Sequence, residues 1–174
     1  MKVEFLEYLN ATDKTILDIG CSTGTCAAQI VDMKNNAYYG IDIEKDYIDI
    51  AKRTHKYGKF LAMDARKMNF QDNEFDVVMF IGVLHHMPDD LIADCLSSIQ
   101  RVLKPEGTII VAEPVFTKGK YFSNLLLSLD RGRFIRKQFE YKALFEGFSV
   151  KRESYFRLSA HRFCSLELKT NQGS

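Results

Sequence analysis

The chain has 174 residues, with 24 Lys or Arg, 23 Asp or Glu and a formal net charge of +1. This length predicts one domain with a full hydrophobic core, and the balanced charge argues against a wholly basic nucleic-acid-binding protein. Its four cysteines show neither a C-x-x-C pair nor another metal-ligand spacing. We therefore expect no metal site and no disulfide framework, and we expect the cysteines to be small buried hydrophobic side chains.

Residues 1–14 are predicted to form one short helix, because Val3, Leu6 and Leu9 fall on one helical face. Charges are spread through this segment, so it does not fit a secretory signal. No apolar run reaches the roughly 18 residues that a membrane-spanning helix needs. We expect a cytoplasmic protein with no membrane span.

Five short runs rich in Ile, Val, Phe and Tyr are predicted to be strands, at residues 15–19, 37–42, 59–64, 75–80 and 108–113. Helical patterns lie between them. One, in residues 89–103, repeats apolar side chains with the spacing of a buried helix face, and another, in residues 44–58, is expected to stop at Gly58. Pro105, Glu106 and Gly107 predict a turn before the last of the five strands.

Alternating strands and helices predict a doubly wound, Rossmann-like α/β sheet, mostly parallel and seven-stranded, with helices on both faces. Residues 149–157 and 161–169 are expected to add an antiparallel hairpin at one edge. Ligands of such sheets bind beyond the carboxyl ends of the strands.

Charge is distributed unevenly along the chain. Residues 1–114 carry 12 basic and 18 acidic side chains, and residues 115–174 carry 12 and 5. A basic last third is consistent with an ordinary solvated face, and equally with a surface that meets an anionic substrate. We interpret residues 115–145 as a substrate lid inserted into a single domain that spans residues 1–174.

A glycine turn follows the first predicted strand, in "ILDIGCSTGTCAAQIV". The turn lacks the G-x-G-x-x-G spacing of nicotinamide-binding proteins and the Gly-Lys-Ser/Thr ending of a P-loop. Asp18, Asp42 and Asp64 end three successive predicted strands. A carboxylate after the second strand suits ribose hydroxyls, and the other two suit an ammonium group and an adenine amino group. Together they predict a site for a nucleoside that carries an amino acid.

Five segments between residues 14 and 114 resemble the class I S-adenosylmethionine-dependent methyltransferases that act on small molecules. They are "ILDIGCSTG", "YYGIDIE", "FLAMDARKMNF", "FDVVMFIGVLHHMPD" and "VLKPEGTIIVAEP". The resemblance implies S-adenosylmethionine as cofactor and S-adenosylhomocysteine as product.

The resemblance also implies roles for individual residues. Asp42 would hold the ribose, Asp64 and the Ala65 backbone would contact adenine, and Ile43 would pack on the adenine face. The methionine part would be surrounded by Asp18, Gly20, Cys21, Ser22 and Gly24, and by the backbone of Phe80, Ile81 and Gly82. Ser22 stands where the family often has Gly, and it is tolerable if its φ is negative.

Two histidines, His85 and His86, follow the fourth predicted strand. Either is a candidate general base, with His86 marginally preferred, or else one caps the next helix and the other packs. Arg131, Arg133 and Tyr141 are candidate substrate contacts, because arginine suits a carboxylate or a phosphate. The same arginines, together with Arg136, also fit a soluble surface over a packed aromatic layer.

We expect methyl transfer to a small-molecule acceptor, which the basic last third suggests is anionic. An RNA or protein methyltransferase ranks lower, since the fourth strand lacks the Asn/Asp-Pro-Pro-Tyr/Phe run of amino-directed nucleic-acid enzymes, and a nucleic-acid partner is not expected. A non-catalytic cofactor-binding subunit is the third hypothesis. The apolar segment "YFSNLLLSL" could serve a homodimer as well as a lid.

Overall fold

The computed structural model describes residues 12–116, 133–158 and 161–171. Within these residues seven strands form one sheet. They are β1 (Thr15–Ile19), β2 (Ala37–Asp42), β3 (Lys59–Ala62), β4 (Phe75–Ile81), β5 (Leu103–Val115), β6 (Phe148–Leu158) and β7 (His161–Thr170). The α-helices are α1 (Ala27–Ile30), α2 (Lys45–Thr54), α3 (Asp89–Val102) and α4 (Gln138–Ala143), and 3₁₀ turns cover Ala65–Lys67 and Leu84–His86.

The order of the strands is β3-β2-β1-β4-β5-β7-β6. Strands β1 to β5 pair in parallel, and β7 runs antiparallel to both β5 and β6. The predicted Rossmann-like sheet with an antiparallel hairpin is confirmed. Because β7 is reversed, its first residues lie at the same edge as the carboxyl ends of β1 to β5.

Alternate residues of each strand enter two different hydrophobic clusters. Leu17 lies in the cluster that contains Ile92 and Ile99 of α3. Its neighbour Ile16 lies in the cluster that contains Ala27 of α1 and Ile48 of α2. Since successive side chains of a strand point to opposite faces, the helices cover both faces of the sheet.

Helix α3 forms where the apolar spacing predicts it. Its buried face consists of Ile92, Cys95, Leu96, Ile99 and Val102. Acidic residues occupy its first turn and Arg101 its last, which is the charge order that the helix dipole favours. No helix in the described part of the chain has the length and apolar content needed to cross a membrane.

Several boundaries differ from the sequence prediction. Strand β3 ends at Ala62, because Asp64 caps the following 3₁₀ turn, and α2 ends at Thr54 rather than at Gly58. The predicted turn at residues 105–107 is an interruption within β5: Leu103 pairs with Phe75, whereas Thr108 pairs with Val77. Among the cysteines, Cys26 is exposed, contrary to expectation, whereas Cys21, Cys95 and Cys164 are buried.

The predicted lid is only partly described. Val115 belongs to β5, and α4 packs into the core through Tyr141, followed by Phe145. The end of the segment is therefore part of the packed structure rather than a cover. Residues 1–11 and 117–132 lie outside the described residues, so the N-terminal helix, the remaining lid, Arg131 and the apolar segment at residues 121–129 stay predictions.

Candidate cofactor and active site

The glycine turn is held against the neighbouring strand ends. The backbone N–H groups of Gly20 and Cys21 both donate to the carbonyl of Ile41, at 2.8 and 3.0 Å. Gly20 and Gly24 have φ values of +69° and +74°. A Cβ on Gly20 would lie 2.2 Å from Cγ2 of Val83, in the loop after β4. Glycine is therefore required by both conformation and space.

Ser22 adopts a left-handed conformation, with φ of +49°. The condition set for tolerating serine at this position, a negative φ, is not met. The reason lies in the turn, where the Ser22 N–H must reach Oδ2 of Asp42 and donates to it at 2.8 Å. A left-handed conformation costs a non-glycine residue roughly 1 to 2 kcal/mol. The serine therefore strains a turn in which glycine would be relaxed.

Replacing Ser22 by Gly should stabilise the folded chain by up to about 1 kcal/mol, because relief of the strain exceeds the entropy that glycine adds to the unfolded state. Urea unfolding measures the change. Thr23→Gly is the matched control, since Thr23 is not among the positive-φ residues, and it should destabilise the protein. Equal destabilisation by both variants would contradict a strained Ser22.

Asp18 is a buried carboxyl group at the end of β1. The Tyr38 hydroxyl donates to its Oδ2 at 2.6 Å. Burial raises the pKa of Asp18 to about 7, with a smaller upward contribution from Asp42 and a downward one from the Tyr38 hydrogen bond. An ammonium group placed beside Asp18 would stabilise its charged form, so this carboxyl group is suited to the α-amino group of an amino acid.

Asp42, at the end of β2, links the glycine turn to the start of α2. Its Oδ2 accepts from the Ser22 N–H and its Oδ1 from the Glu44 N–H, at 2.8 and 2.9 Å. Each carboxylate oxygen has a further lone pair, so Asp42 keeps acceptor capacity for two ribose hydroxyls. The next side chain, Ile43, is 68% exposed. An exposed apolar side chain beside this carboxylate is suited to packing on an aromatic base.

Asp64 is engaged locally. Its carboxylate accepts from the backbone N–H of Arg66 at 2.9 Å and pairs with the guanidinium at 2.6 Å. The Arg66 hydrogen bonds lower the pKa of Asp64. The predicted contact of Asp64 and Ala65 with adenine stays a prediction. In that contact the adenine amino group would donate to a carboxylate that already pairs with Arg66.

The remaining predicted contacts differ in what they can offer a ligand. Phe80 is buried with its side chain in the core, and Ile81 is half-buried, so we expect the Phe80 contact to come from its backbone. Cys21 is buried, and burial raises the pKa of its thiol well above the ordinary value. This thiol is therefore an unreactive wall of the site.

His85 forms a dyad with a residue that the sequence analysis missed. The side chain of Glu113, in β5, is fully buried, and its Oε2 lies 2.7 Å from Nδ1 of His85. The other oxygen, Oε1, accepts from the backbone N–H groups of Val83 and Leu84, each at 2.8 Å. Because a carboxylate only accepts, the Nδ1 of His85 carries the proton. Neutral His85 therefore has its lone pair on Nε2.

The two histidines are thus in different environments. The side chain of His85 is 7% exposed, whereas His86 is exposed and stacks against it with ring centroids 4.0 Å apart. An imidazole oriented by a buried carboxylate is better organised for proton transfer than an exposed one. The geometry therefore favours His85 over His86. The sequence did contain a signal for this dyad, because Glu113 is an acidic residue at the end of the apolar run "TIIVAEP".

The predicted substrate contacts are not brought together. Tyr141 is fully buried and its hydroxyl donates to the Pro114 carbonyl at 3.3 Å, so it faces the core and its assignment to substrate is wrong. Arg133 is exposed and its role stays a prediction. Arg136 is a structural residue: its buried guanidinium donates to the carbonyls of Leu84 and Met87 at 2.9 and 2.8 Å.

Comparisons with known proteins agree with this geometry. Residues 16–107 match the family model of a methyltransferase domain. The chain is 29% identical over 137 residues to a demethylmenaquinone methyltransferase of Chlorobaculum tepidum, covering 74% of this chain and 55% of that one. It is 32% identical over 126 residues to an O-methyltransferase of Pyrenophora dematioidea, covering 68% and 46%. The chain thus spans about half the length of these curated relatives.

A solved structure shows the same fold. Magnesium protoporphyrin IX methyltransferase from Synechocystis, determined with bound S-adenosylhomocysteine, superposes with a TM-score of 0.71 at 19% identity, covering 96% of this chain and 81% of that one. The family match extends over more than half of the chain, through the glycine turn, Asp18, Asp42 and Asp64, and the histidine loop. The chain therefore belongs to the S-adenosylmethionine-dependent methyltransferase family.

Proposed function

We propose that this chain transfers the methyl group of S-adenosylmethionine to a small, anionic acceptor and releases S-adenosylhomocysteine. The observation that carries the proposal is the junction of the strained glycine turn with Asp18 and Asp42 at the carboxyl edge of the sheet. The named relatives that methylate a quinone precursor or an oxygen atom support a small-molecule acceptor.

The residues present fit such a cofactor. Gly20 and Gly24 supply the positive φ values that the turn requires, while Asp18 is suited to the amino group, Asp42 to the ribose and Ile43 to the base. When bound, S-adenosylmethionine supplies a methyl group that its positive sulfur already activates. The protein must then align a nucleophile and exclude water, and alignment of this kind contributes up to about 7 to 11 kcal/mol.

His85 would remove the proton of the acceptor. Its Nε2 would accept the proton of an acceptor hydroxyl or amine, and Glu113 would stabilise the resulting imidazolium through Nδ1–H. The backbone N–H groups of Val83 and Leu84 hold the same carboxylate. The loop and the base are therefore positioned by one buried group.

Asp42→Asn should weaken binding of S-adenosylhomocysteine by at least about tenfold, because the amide loses one acceptor oxygen and the charge that strengthens its hydrogen bonds. Calorimetric titration measures the affinity. Asp46→Asn is the matched control, since Asp46 is an exposed residue of the first turn of α2, and it should bind like the wild type.

The same preparation should convert S-adenosylmethionine to S-adenosylhomocysteine when it is supplied with a metabolite extract. Cofactor binding without turnover in any extract would favour a non-catalytic binding subunit. Turnover only with RNA or protein would favour the macromolecular alternative, and no binding of S-adenosylhomocysteine by the wild type would refute the proposal.

A further inference from the structure

The start of β7 brings two arginines to the catalytic edge of the sheet. Arg162 pairs across the strands with Val115 of β5 on one side and with Arg157 of β6 on the other. Two residues away in the same register, Cys164 pairs with Glu113 and Tyr155. Residues two apart on a strand share a face, as do cross-strand partners. Arg157 and Arg162 therefore lie on the same face as Glu113, which orients His85.

Strand geometry places both arginines within the length of a small molecule from Glu113, the residue that holds the His85 ring. Arg162 is displaced from Glu113 by two residues along the sheet and by one strand across it. Strand geometry makes this roughly 8 Å between Cα atoms, with Arg157 about 5 Å further on. A small acceptor with its nucleophile at His85 spans this distance.

The pairing of Arg157 with Arg162 is unfavourable without a ligand. Like charges directly opposite each other destabilise a strand pair. Other basic residues nearby have acidic partners: Arg152 lies 3.6 Å from Glu167 and Lys142 lies 3.0 Å from Glu153. Among the residues that the structure describes, neither Arg157 nor Arg162 forms an ion pair.

One further feature favours a bound group at this edge. The Arg162 guanidinium lies over the Tyr155 ring, 4.0 Å from its centroid. This stacking leaves the edge of the planar fork available for bidentate hydrogen bonds.

We propose that Arg157 and Arg162 form an anion-binding pair that holds a carboxylate or phosphate group of the methyl acceptor. This inference rests on the proposed function. It attributes recognition of the acceptor's anionic group to residues that lie outside the arginine cluster at residues 131–136. The paired guanidinium groups supply several donors to one anionic group. The mutual repulsion of the arginines disappears when that group is bound.

The test uses Arg157→Gln, Arg162→Gln and the double variant. Lys151→Gln is the matched control, because Lys151 is an exposed cation nearer the other end of β6. A metabolite extract is separated on an anion exchanger, and each fraction is assayed for S-adenosylhomocysteine formation. We expect activity in the retained fraction and a rise in KM of about tenfold for each lost arginine, with affinity for S-adenosylhomocysteine unchanged in all variants.

Direct binding is measured by NMR of the arginine Nε–H signals during titration with sodium phosphate and, separately, sodium acetate. Stronger shifts with one salt identify the preferred group, and phosphatase treatment of the active fraction should abolish activity only if that group is phosphate. Activity confined to the unretained fraction, a double variant that behaves like Lys151→Gln, or arginine signals that respond to neither salt would overturn the anion-binding pair. Absence of cofactor binding would instead refute the proposed function.

Discussion

His85→Asn is expected to lower turnover by about 10²- to 10⁴-fold, the usual contribution of a general base. The asparagine amide can still donate to Glu113 in place of the Nδ1–H, so the buried carboxylate keeps a partner. The atom that is lost is Nε2, the proposed proton acceptor. The rate of S-adenosylhomocysteine formation at saturating acceptor measures the effect.

The neighbouring histidine provides the control. His86→Asn alters an exposed side chain that stacks on His85, and we expect turnover within a few fold of the wild type. Both variants should bind S-adenosylhomocysteine normally and unfold at similar urea concentrations. Full activity of His85→Asn would remove the dyad from the mechanism, and a large loss in His86→Asn alone would restore the alternative assignment.

Asp18→Asn should change stability and cofactor binding in opposite directions. The pKa of the folded-state carboxyl is raised to about 7 from an ordinary value of 3.8, chiefly by burial. Between these values the folded chain holds a proton that the unfolded chain has released, so stability falls as pH rises from about 4 to about 7. The full cost, on the order of 4 kcal/mol, applies above pH 7.

Asparagine removes this titration while retaining an oxygen that accepts from the Tyr38 hydroxyl. Without ligand, we therefore expect the variant to be more stable than the wild type at pH 8. Its free energy of unfolding should also fall much less than that of the wild type between pH 5 and pH 8. Its affinity for S-adenosylhomocysteine should fall about 10- to 100-fold, because the charge that would hold the ammonium group is gone.

Urea unfolding at pH 5 and pH 8, together with calorimetric titration, measures both effects. Asp76→Asn is the matched control: burial acts to raise the pKa of Asp76, but the Thr15 N–H and the Lys104 ammonium together hold it below its ordinary value. That variant should lose stability at pH 8 and bind cofactor normally. An unchanged dependence of stability on pH in Asp18→Asn would show that Asp18 does not titrate in this range.

A buried carboxyl group that destabilises the free protein is consistent with selection for binding rather than for stability. The strained Ser22 and the paired Arg157 and Arg162 break local rules in the same way. All lie at or near the carboxyl edge of the sheet, where the proposed ligands would supply a cation for Asp18 and an anion for the two arginines.

The sequence by itself determined most of the sheet. The bounds of β1 and β2 match the prediction, because strands buried on both faces appear as uninterrupted apolar runs. The glycine turn and the three aspartates could also be placed from the neighbouring sequence alone, since each aspartate lies at or just after the end of an apolar run that predicts a strand.

Only the tertiary structure decided which side chains meet. Glu113 reaches His85 across 28 positions of sequence through the pairing of β4 with β5, and no local pattern encodes that register. Tyr141 was a predicted substrate contact and Arg136 a predicted surface residue, and the packing of α4 and its preceding segment buries both. Arg157 and Arg162 lie at the same edge of the sheet as the His85 loop because β7 runs antiparallel to β5, which places the start of a late strand beside the ends of the early ones.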